Sequence, residues 1–236
     1  MGTRDPFEAR AVTSRRGGPV KPPLSRDSIV EEALALLTRD GLEGMSLRKV
    51  ATALDTGPAS LYAYVDDLKE LHALVLDRAL ASVNARGAAS HGWRDRLMAL
   101  LASYLRVLSR SPGLAQLALT TVAVGPNGLR LMETLLGLLE QAGVDRTAAA
   151  LGVDLLVLYV TGLAAEQSKG LEPGDPEGGV ARTIRAVSAD EYPRVHAARE
   201  ELLAGTGEGR FTWAVDVMLR GILTSGPKPR ARTKAR

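Results

Sequence analysis

The side chains best equipped to contact a partner in this chain are polar donors and cations gathered around one short stretch, Ser46 to Val65 (SLRKVATALDTGPASLYAYV). Leu47, Val50, Ala51 and Leu54 recur at helical spacing, so the stretch opens with a helix that has one buried face. Ser46 precedes it as an N-cap. Asp55-Thr56-Gly57 breaks the pattern, and Pro58 suits the first turn of a second helix, where its missing N–H costs little. Leu61 and Val65, four apart, face inward. Ala59, Ser60, Tyr62, Ala63 and Tyr64 then fall on or near the outer side, flanked by Arg48, Lys49 and Lys69. A short helix offering small, hydroxyl and aromatic groups between cations has the format of a major-groove reader. Pattern alone equally allows three ordinary packed helices.

Other chemistries find little footing. His72, His91 and His196 are isolated, without metal-ligand spacing, and no glycine-rich phosphate loop follows a strand. No Ser/His/Asp set can be assembled, and the acids are spread along helix faces. We therefore expect no catalytic residues, no metal site and no cofactor. The absence of cysteine excludes disulfides and thiolate ligands. Hydrophobic residues make up 45% of the 236, enough for a core, while aromatics are only 4%; the abundance of Leu and Ala favours helices. Net charge is +3, so the basic residues matter by position, and they crowd both ends. No segment reads as both long enough and sufficiently free of charge to span a membrane. No signal-like apolar run opens the chain. The expectation is a cytoplasmic protein with no membrane partner.

The elements that must position the reader follow in order. Residues 1–24 carry Arg4, Arg10, Arg15, Arg16 and Lys21 among Gly and Pro, and read as a disordered basic arm. Such an arm beside a reader can track phosphates; it can equally be an inert leader. Ser25 caps a helix to Asp40, with Ile29, Val30, Ala33, Leu34, Leu36 and Leu37 on its inner side and Gly41 at its end. Asp66 or Asp67 starts a helix that follows the reader with almost no linker and is expected to run to about Gly87. Further helices are expected over 93–109, 114–122, 129–142 and 146–168. One short helix is expected within 184–204 and a last one over 211–224. The 146–168 helix is apolar on more than one face, which suits a core or an interface between subunits. Residues 227–236 read as a disordered basic tail. The fold class is all-α: residues 25–70 form a three-helix helix-turn-helix domain, and residues 71–226 form a larger helical domain.

G41-L-E-G-M-S-L-R-K-V-A51, then L61-Y-A-Y-V65 and an immediate next helix, resembles the DNA-binding segment of the TetR family of transcriptional regulators. Trp93, Ser111-Pro112-Gly113, Gly162 with Glu166, and R210-F-T-W-A-V-D-V-M-L-R-G221 resemble the effector domain of its tetracycline-repressor-like subgroup. The resemblance implies a homodimer that reads the half-sites of a double-stranded operator in successive major grooves. It also implies a C-terminal domain that encloses a small-molecule effector. The helices over 146–168 and 211–224 would pair with a second copy as a four-helix bundle.

Carried over residue by residue, the family's DNA contacts fall on Arg48, Pro58, Ala59, Ser60, Tyr62 and Tyr64, with Lys69 reaching the backbone. Arg48 would pair with guanine or a phosphate, and Ser60 and the tyrosines would serve as phosphate donors or contacts to thymine methyls. Two departures stand out. Asp55 replaces the usual turn glycine, and Asp is among the few other residues that tolerate a left-handed conformation. Gly57-Pro58-Ala59 is poor in hydrogen-bonding side chains. In the subgroup, two histidines help hold a magnesium-bound drug. The matching positions here are Asn84 and Leu117, neither an imidazole. Other lining positions match Leu100, Tyr104, Thr120, Thr134 and Glu166, which implies a largely apolar effector without a metal. The resulting reading is a repressor released from a pseudo-palindromic operator by such an effector. The alternatives are a DNA-binding regulator with no ligand, or a helical dimeric adaptor that does not bind DNA.

Overall fold

The computed structural model describes residues 5–8, 24–84, 92–168, 178–204 and 207–225, and among these there is no strand. The chain is all-α, in line with its abundance of Leu and Ala. The helices are α1 (Arg26–Asp40), α2 (Leu47–Ala53), α3 (Pro58–Leu61), α4 (Leu68–Leu80), α5 (Trp93–Leu108), α6 (Pro112–Thr120), α7 (Pro126–Gln141), α8 (Arg146–Ser168), α9 (Gly179–Arg185), α10 (Pro193–Ala197), α11 (Arg199–Leu203) and α12 (Gly207–Thr224). A 3₁₀ turn, Leu42–Gly44, joins α1 to α2. The basic residues Arg4, Arg10, Arg15, Arg16 and Lys21, and the tail over 227–236, lie outside the described residues.

Two compact units interleave along the sequence. One comprises residues 1–85, 102–131 and 160–170; the other comprises 86–101, 132–159 and 171–236.

The first unit carries α1 to α4 and α6. Ser25 and Ser28 close a reciprocal capping box on α1: the Ser28 amide donates to the Ser25 hydroxyl (3.1 Å) and the Ser25 amide to the Ser28 hydroxyl (3.0 Å). Ile29, Val30, Ala33, Leu36 and Leu37 of α1 are buried, as the periodicity predicts. Helix α1 packs against α2, α4 and α6. The contact with α6 explains the Ser111-Pro112-Gly113 run. Ser111 caps α6, accepting from the Leu114 amide at 3.3 Å, and Pro112 occupies the first turn. A methyl at Gly113 would lie 2.8 Å from the Leu37 carbonyl oxygen and 3.0 Å from the Gly41 Cα, so only glycine lets the two backbones approach this closely.

In the second unit α8 and α12 pack at Gly152, where a methyl would lie 3.0 Å from the Ile222 side chain. Arg94 of α5 pairs with Asp216 of α12 at 2.5 Å. The short helices α9, α10 and α11 pack on one another.

Several expectations need correction, among them the starts of α6, α7 and α12, which lie at Pro112, Pro126 and Gly207 rather than at 114, 129 and 211. Helix α4 stops at Leu80 rather than near Gly87. The Ser82 and Val83 amides turn back to the Ala79 and Leu80 carbonyls, three residues behind, and tighten the chain out of the α-helix. The single helix expected within 184–204 is instead three short ones: α9 starts earlier at Gly179, Ser188 to Tyr192 separate it from α10, which Pro193 starts, and Ala198 leaves helical geometry between α10 and α11. Helix α8 also satisfies the length and hydropathy of a membrane span: it has 23 residues, and its most apolar 18-residue window has a mean hydropathy of 1.9, although half of that window is buried inside the protein. The charges Arg146, Asp154 and Glu166 do not lower its hydropathy enough to prevent this.

Gly113→Ala should cost about 1–3 kcal/mol of unfolding free energy through overpacking of α6 on α1. An unchanged urea midpoint would contradict the close approach. A second expectation concerns His72 on α4. Burial pushes its imidazole below the ordinary value, outweighing an opposing pull from Asp67. The unfolded chain therefore takes up this proton first. The resulting stability is present above pH ~6.5 and is lost as pH falls below it. His72→Gln should flatten that acid-side fall in chemical denaturation.

Candidate nucleic-acid interface

The presented surface begins with a cap and a turn. The Ser46 hydroxyl accepts from the Lys49 amide at 3.3 Å and starts α2. Val50 and Ala51 are fully buried beneath it, while Leu47 and Leu54 are only half-buried. Asp55 has φ of 49°, so the left-handed residue anticipated in this turn is present without glycine. The Thr56 amide returns to the Ala51 carbonyl at 2.8 Å and closes the turn. Helix α3 is a single turn that starts with Gly57 extended and Pro58 first. Leu61 and Val65 are fully buried and hold it down like two pegs.

The rest of α3 follows from those pegs. Pro58, Ala59, Ser60, Tyr62 and Ala63 are exposed, as are Arg48, Lys49 and Lys69. Tyr62 presents a phenol ring that is 54% exposed. Thr52 and Ala53 widen this face from α2. Six of the seven residues expected to contact DNA (Arg48, Pro58, Ala59, Ser60, Tyr62 and Lys69) are therefore open to a partner.

Tyr64 is the exception and corrects the sequence reading. It is 6% exposed, and its hydroxyl donates to the Leu24 carbonyl at 2.8 Å. It lies three residues after Leu61 and one before Val65, so the helical turn brings it to the buried side. Its role is to tie the end of the reader to the residue before the α1 capping box.

A second tie was not legible in the sequence. The Arg26 guanidinium at the start of α1 pairs with the Glu70 carboxylate in the first turn of α4, and that carboxylate is 7% exposed. The other Glu70 oxygen accepts from the Asp66 amide at 2.5 Å, and the Glu70 amide donates to Asp67 at 2.8 Å. The Asp67-to-Glu70 spacing is a capping signature that could have revealed half of this joint. Nothing local points to Arg26. Two turns further along α4, Arg78 pairs with Asp27 at 2.6 Å and with Glu31, fastening α4 to α1 again.

The expected effector residues divide by burial. Leu100, Tyr104 and Leu117 are buried, Thr134 is half-buried, and Asn84, Thr120 and Glu166 are exposed. Burial pushes the Tyr104 phenol above its usual value; the partly opposing influence is its 2.9 Å hydrogen bond with the Thr161 hydroxyl. The Thr120 hydroxyl is turned back onto the Gln116 and Leu117 carbonyls. The reader-bearing unit also has an open recess of about 400 Å³ between α1, α4, α5 and α6, and none of the seven lines it. Among the described residues no group of three or more His, Asp or Glu could hold a metal.

An all-helical chain with a capped helix-turn-helix braced by two flanking helices is the architecture of a helical transcriptional regulator. A family model described as the tetracyclin repressor-like C-terminal domain matches residues 87–225, more than half of the chain. The chain belongs to the TetR family of transcriptional regulators, a family of regulators rather than enzymes.

Among relatives, it is 36% identical over 148 residues to the HTH-type transcriptional repressor DrrR1 of Streptomyces coeruleorubidus, a match covering 62% of this chain and 55% of that one. The match thus spans little more than half of DrrR1. It is 33% identical over 175 residues to an HTH-type transcriptional regulator of Saccharopolyspora erythraea, covering 73% of this chain and 74% of the other. A crystal structure of the putative transcription regulator SCO7704 from Streptomyces shares 40% identity, with a TM-score of 0.74 over 89% of this chain and all of that one. The TetR family protein ActR of Streptomyces coelicolor, crystallised with actinorhodin, shares 31% identity at a TM-score of 0.75, covering 86% of this chain and 98% of that one.

Tyr64→Phe should lower unfolding free energy by about 1–2 kcal/mol by stranding the Leu24 carbonyl, whereas Tyr62→Phe should stay within about 0.5 kcal/mol of wild type. Equal denaturant midpoints for the two variants would refute the division between an inner and an outer tyrosine.

Proposed function

We propose that the protein is a homodimeric, ligand-responsive repressor that binds a pseudo-palindromic operator through α3 and the adjoining face of α2. The observation that carries the proposal is the exposed face of Arg48, Pro58, Ala59, Ser60 and Tyr62, set on a helix whose other side is pinned by Leu61 and Val65. Arg48 is the residue best suited to bidentate recognition of guanine or a phosphate. Ser60 and Lys69 supply phosphate contacts, and Tyr62 supplies a hydroxyl and an aromatic edge. Phosphate contacts position the reader but carry no sequence information, so base readout rests on few side chains. Such a site should be strongly salt-dependent.

Dimerisation is supported by the surface of the second unit. Leu151, Leu155 and Leu158 form an exposed row on α8, and Trp213 and Val217 form another on α12, with Trp213 70% exposed. Large apolar groups aligned on two helices packed against each other form a surface that calls for a cover. A second copy, meeting it around a two-fold axis, buries both rows as a four-helix bundle. In the dimer the two α3 helices sit one DNA turn apart, roughly 34–36 Å.

The effector is a small, largely apolar molecule bound by the C-terminal domain. This part rests on the family resemblance and on the ligand-bound relative ActR. Binding shifts α4, and with it the spacing of the readers. The ligand must favour the released conformation, with a coupling of about 1–3 kcal/mol, because equal affinity for both states would shift nothing.

Three measurements test this. Footprinting on the DNA next to the protein's own gene should reveal a two-fold symmetric site, which Tyr62→Ala and Arg48→Ala bind at least about tenfold more weakly, consistent with about 1–3 kcal/mol for a good base contact. No sequence preference at moderate salt would favour the adaptor reading. Leu155→Glu with Trp213→Glu should give a monomer in sedimentation; a persistent dimer would place the interface elsewhere. A thermal-shift screen of apolar metabolites should find a stabilising ligand, while magnesium-dependent tetracycline binding would contradict the metal-free assignment.

A further inference from the structure

Ahead of α1, residues 5–8 are described and are held against the helices. Asp5–Glu8 forms a turn in which the Phe7 amide donates to the Asp5 carboxylate at 2.9 Å. Arg26 grips this turn from α1: its guanidinium donates to the Pro6 carbonyl and, at 2.7 Å, to the Glu8 carbonyl. The same guanidinium pairs with Glu70 at the start of α4. One side chain thus joins the N-terminal turn, the first turn of α1 and the first turn of α4.

The other end of the turn reaches a second joint. Phe7 is half-buried with its ring against Gly125, where a methyl would lie 2.5 Å from the Phe7 ring and 2.4 Å from the Asp77 carboxylate. Asp77 belongs to α4 and is 8% exposed. Its carboxylate accepts from the Asn127 and Gly128 amides at 2.8 and 3.1 Å and from the Asn127 side-chain amide at 2.8 Å. Those amides open α7, so Asp77 satisfies the free donors of its first turn and complements its dipole. Glu70 and Asp77 lie seven residues apart, about 10 Å along α4. The N-terminal turn bridges both points.

We propose that Asp5–Glu8 is an intramolecular clamp that holds α4 in one position between α1 and the start of α7. The clamp biases the reader toward its operator-binding geometry, because α4 follows α3 with only a short turn between them. It acts through Phe7 as an apolar plug over the Asp77 joint and through Arg26 as a hook on the Glu70 joint. Releasing the plug leaves the polar joints intact but lets α4 move. The N-terminal segment therefore sets operator affinity from a position away from the DNA-contacting face. The effect on affinity rests on the DNA-binding reading above; the effect on α4 does not.

The test uses the full-length chain with Phe7→Ala and with Phe7→Leu, which keeps an apolar plug. Two quantities are read: amide hydrogen exchange over residues 68–80, and affinity for the footprinted DNA. Phe7→Ala should speed exchange in α4 about tenfold and weaken operator binding about fivefold or more, with Phe7→Leu close to wild type in both. Wild-type exchange over 68–80 in Phe7→Ala would overturn the clamp, whether or not an operator is found. Faster exchange with unchanged operator affinity would overturn its control of the reader. If the wild-type chain binds no operator, the DNA-binding reading fails and the exchange result alone decides whether the clamp exists.

Discussion

The contact between Arg26 and Glu70 joins the start of α1 to the start of α4, where the chain leaves the reader. Glu70 is nearly inaccessible, and a buried carboxylate persists only when every oxygen is satisfied. One oxygen takes the Arg26 guanidinium and the other takes the Asp66 amide. The pair therefore fixes the direction in which the chain leaves the reader and enters α4. Removing either partner would strand a buried charge at the joint where α3 hands over to α4. Tyr64 reinforces the same place from the reader side by bonding to the residue before the α1 cap.

From that joint, α4 acts as a lever with fixed points along its length. Arg26 holds its start, Arg78 ties its later turns to α1, and Asp77 holds the start of α7. Helix α6 is pressed onto α1 at Gly113. A displacement of α6 or of the start of α7 is therefore resisted by α1 and α4 together. Close-packed contacts of this kind switch between discrete arrangements rather than deforming smoothly. These contacts lie within the unit that carries Arg48 and Tyr62. In the second unit, the leucine row of α8 and Trp213 of α12 stand exposed on helices that pack together.

Much of the fold was legible in the residues. The capping serines Ser25 and Ser46, the left-handed Asp55 and the apolar row of α1 all lie where local rules place them. Local rules did less well at helix ends and in polar stretches. Helix α4 ends early because its last amides turn back three residues rather than four. Residues 179–203 break into three helices: Ser188 to Tyr192 precede Pro193, which starts α10, and Ala198 leaves helical geometry before α11. Helix α8 reaches the hydropathy of a span because its run of leucines and valines outweighs its scattered charges. The clamp at Asp5–Glu8 had no signature: a single Phe among Gly, Pro and Arg looks like disorder until Gly125 is beside it.

The candidate site shows where the boundary lies. By itself, the sequence determined that a capped helix, a tight turn and a proline-started helix would stand together with basic and hydroxyl groups near them, because caps, turns and periodicity act over a few residues. It also excluded thiol chemistry, because there is no cysteine, and pointed to an all-α chain, because Leu and Ala recur at helical spacing. Helical spacing from Leu61 and Val65 turns Tyr64 inward and leaves Tyr62 outside. Only the tertiary structure supplied the partner that holds Tyr64 there: the buried carbonyl of Leu24, some forty residues earlier. The Arg26–Glu70 pair spans 44 residues and the Asp77–Asn127 contact spans 50. Polar contacts of that reach leave no period in the sequence, because their geometry exists only once the helices have packed.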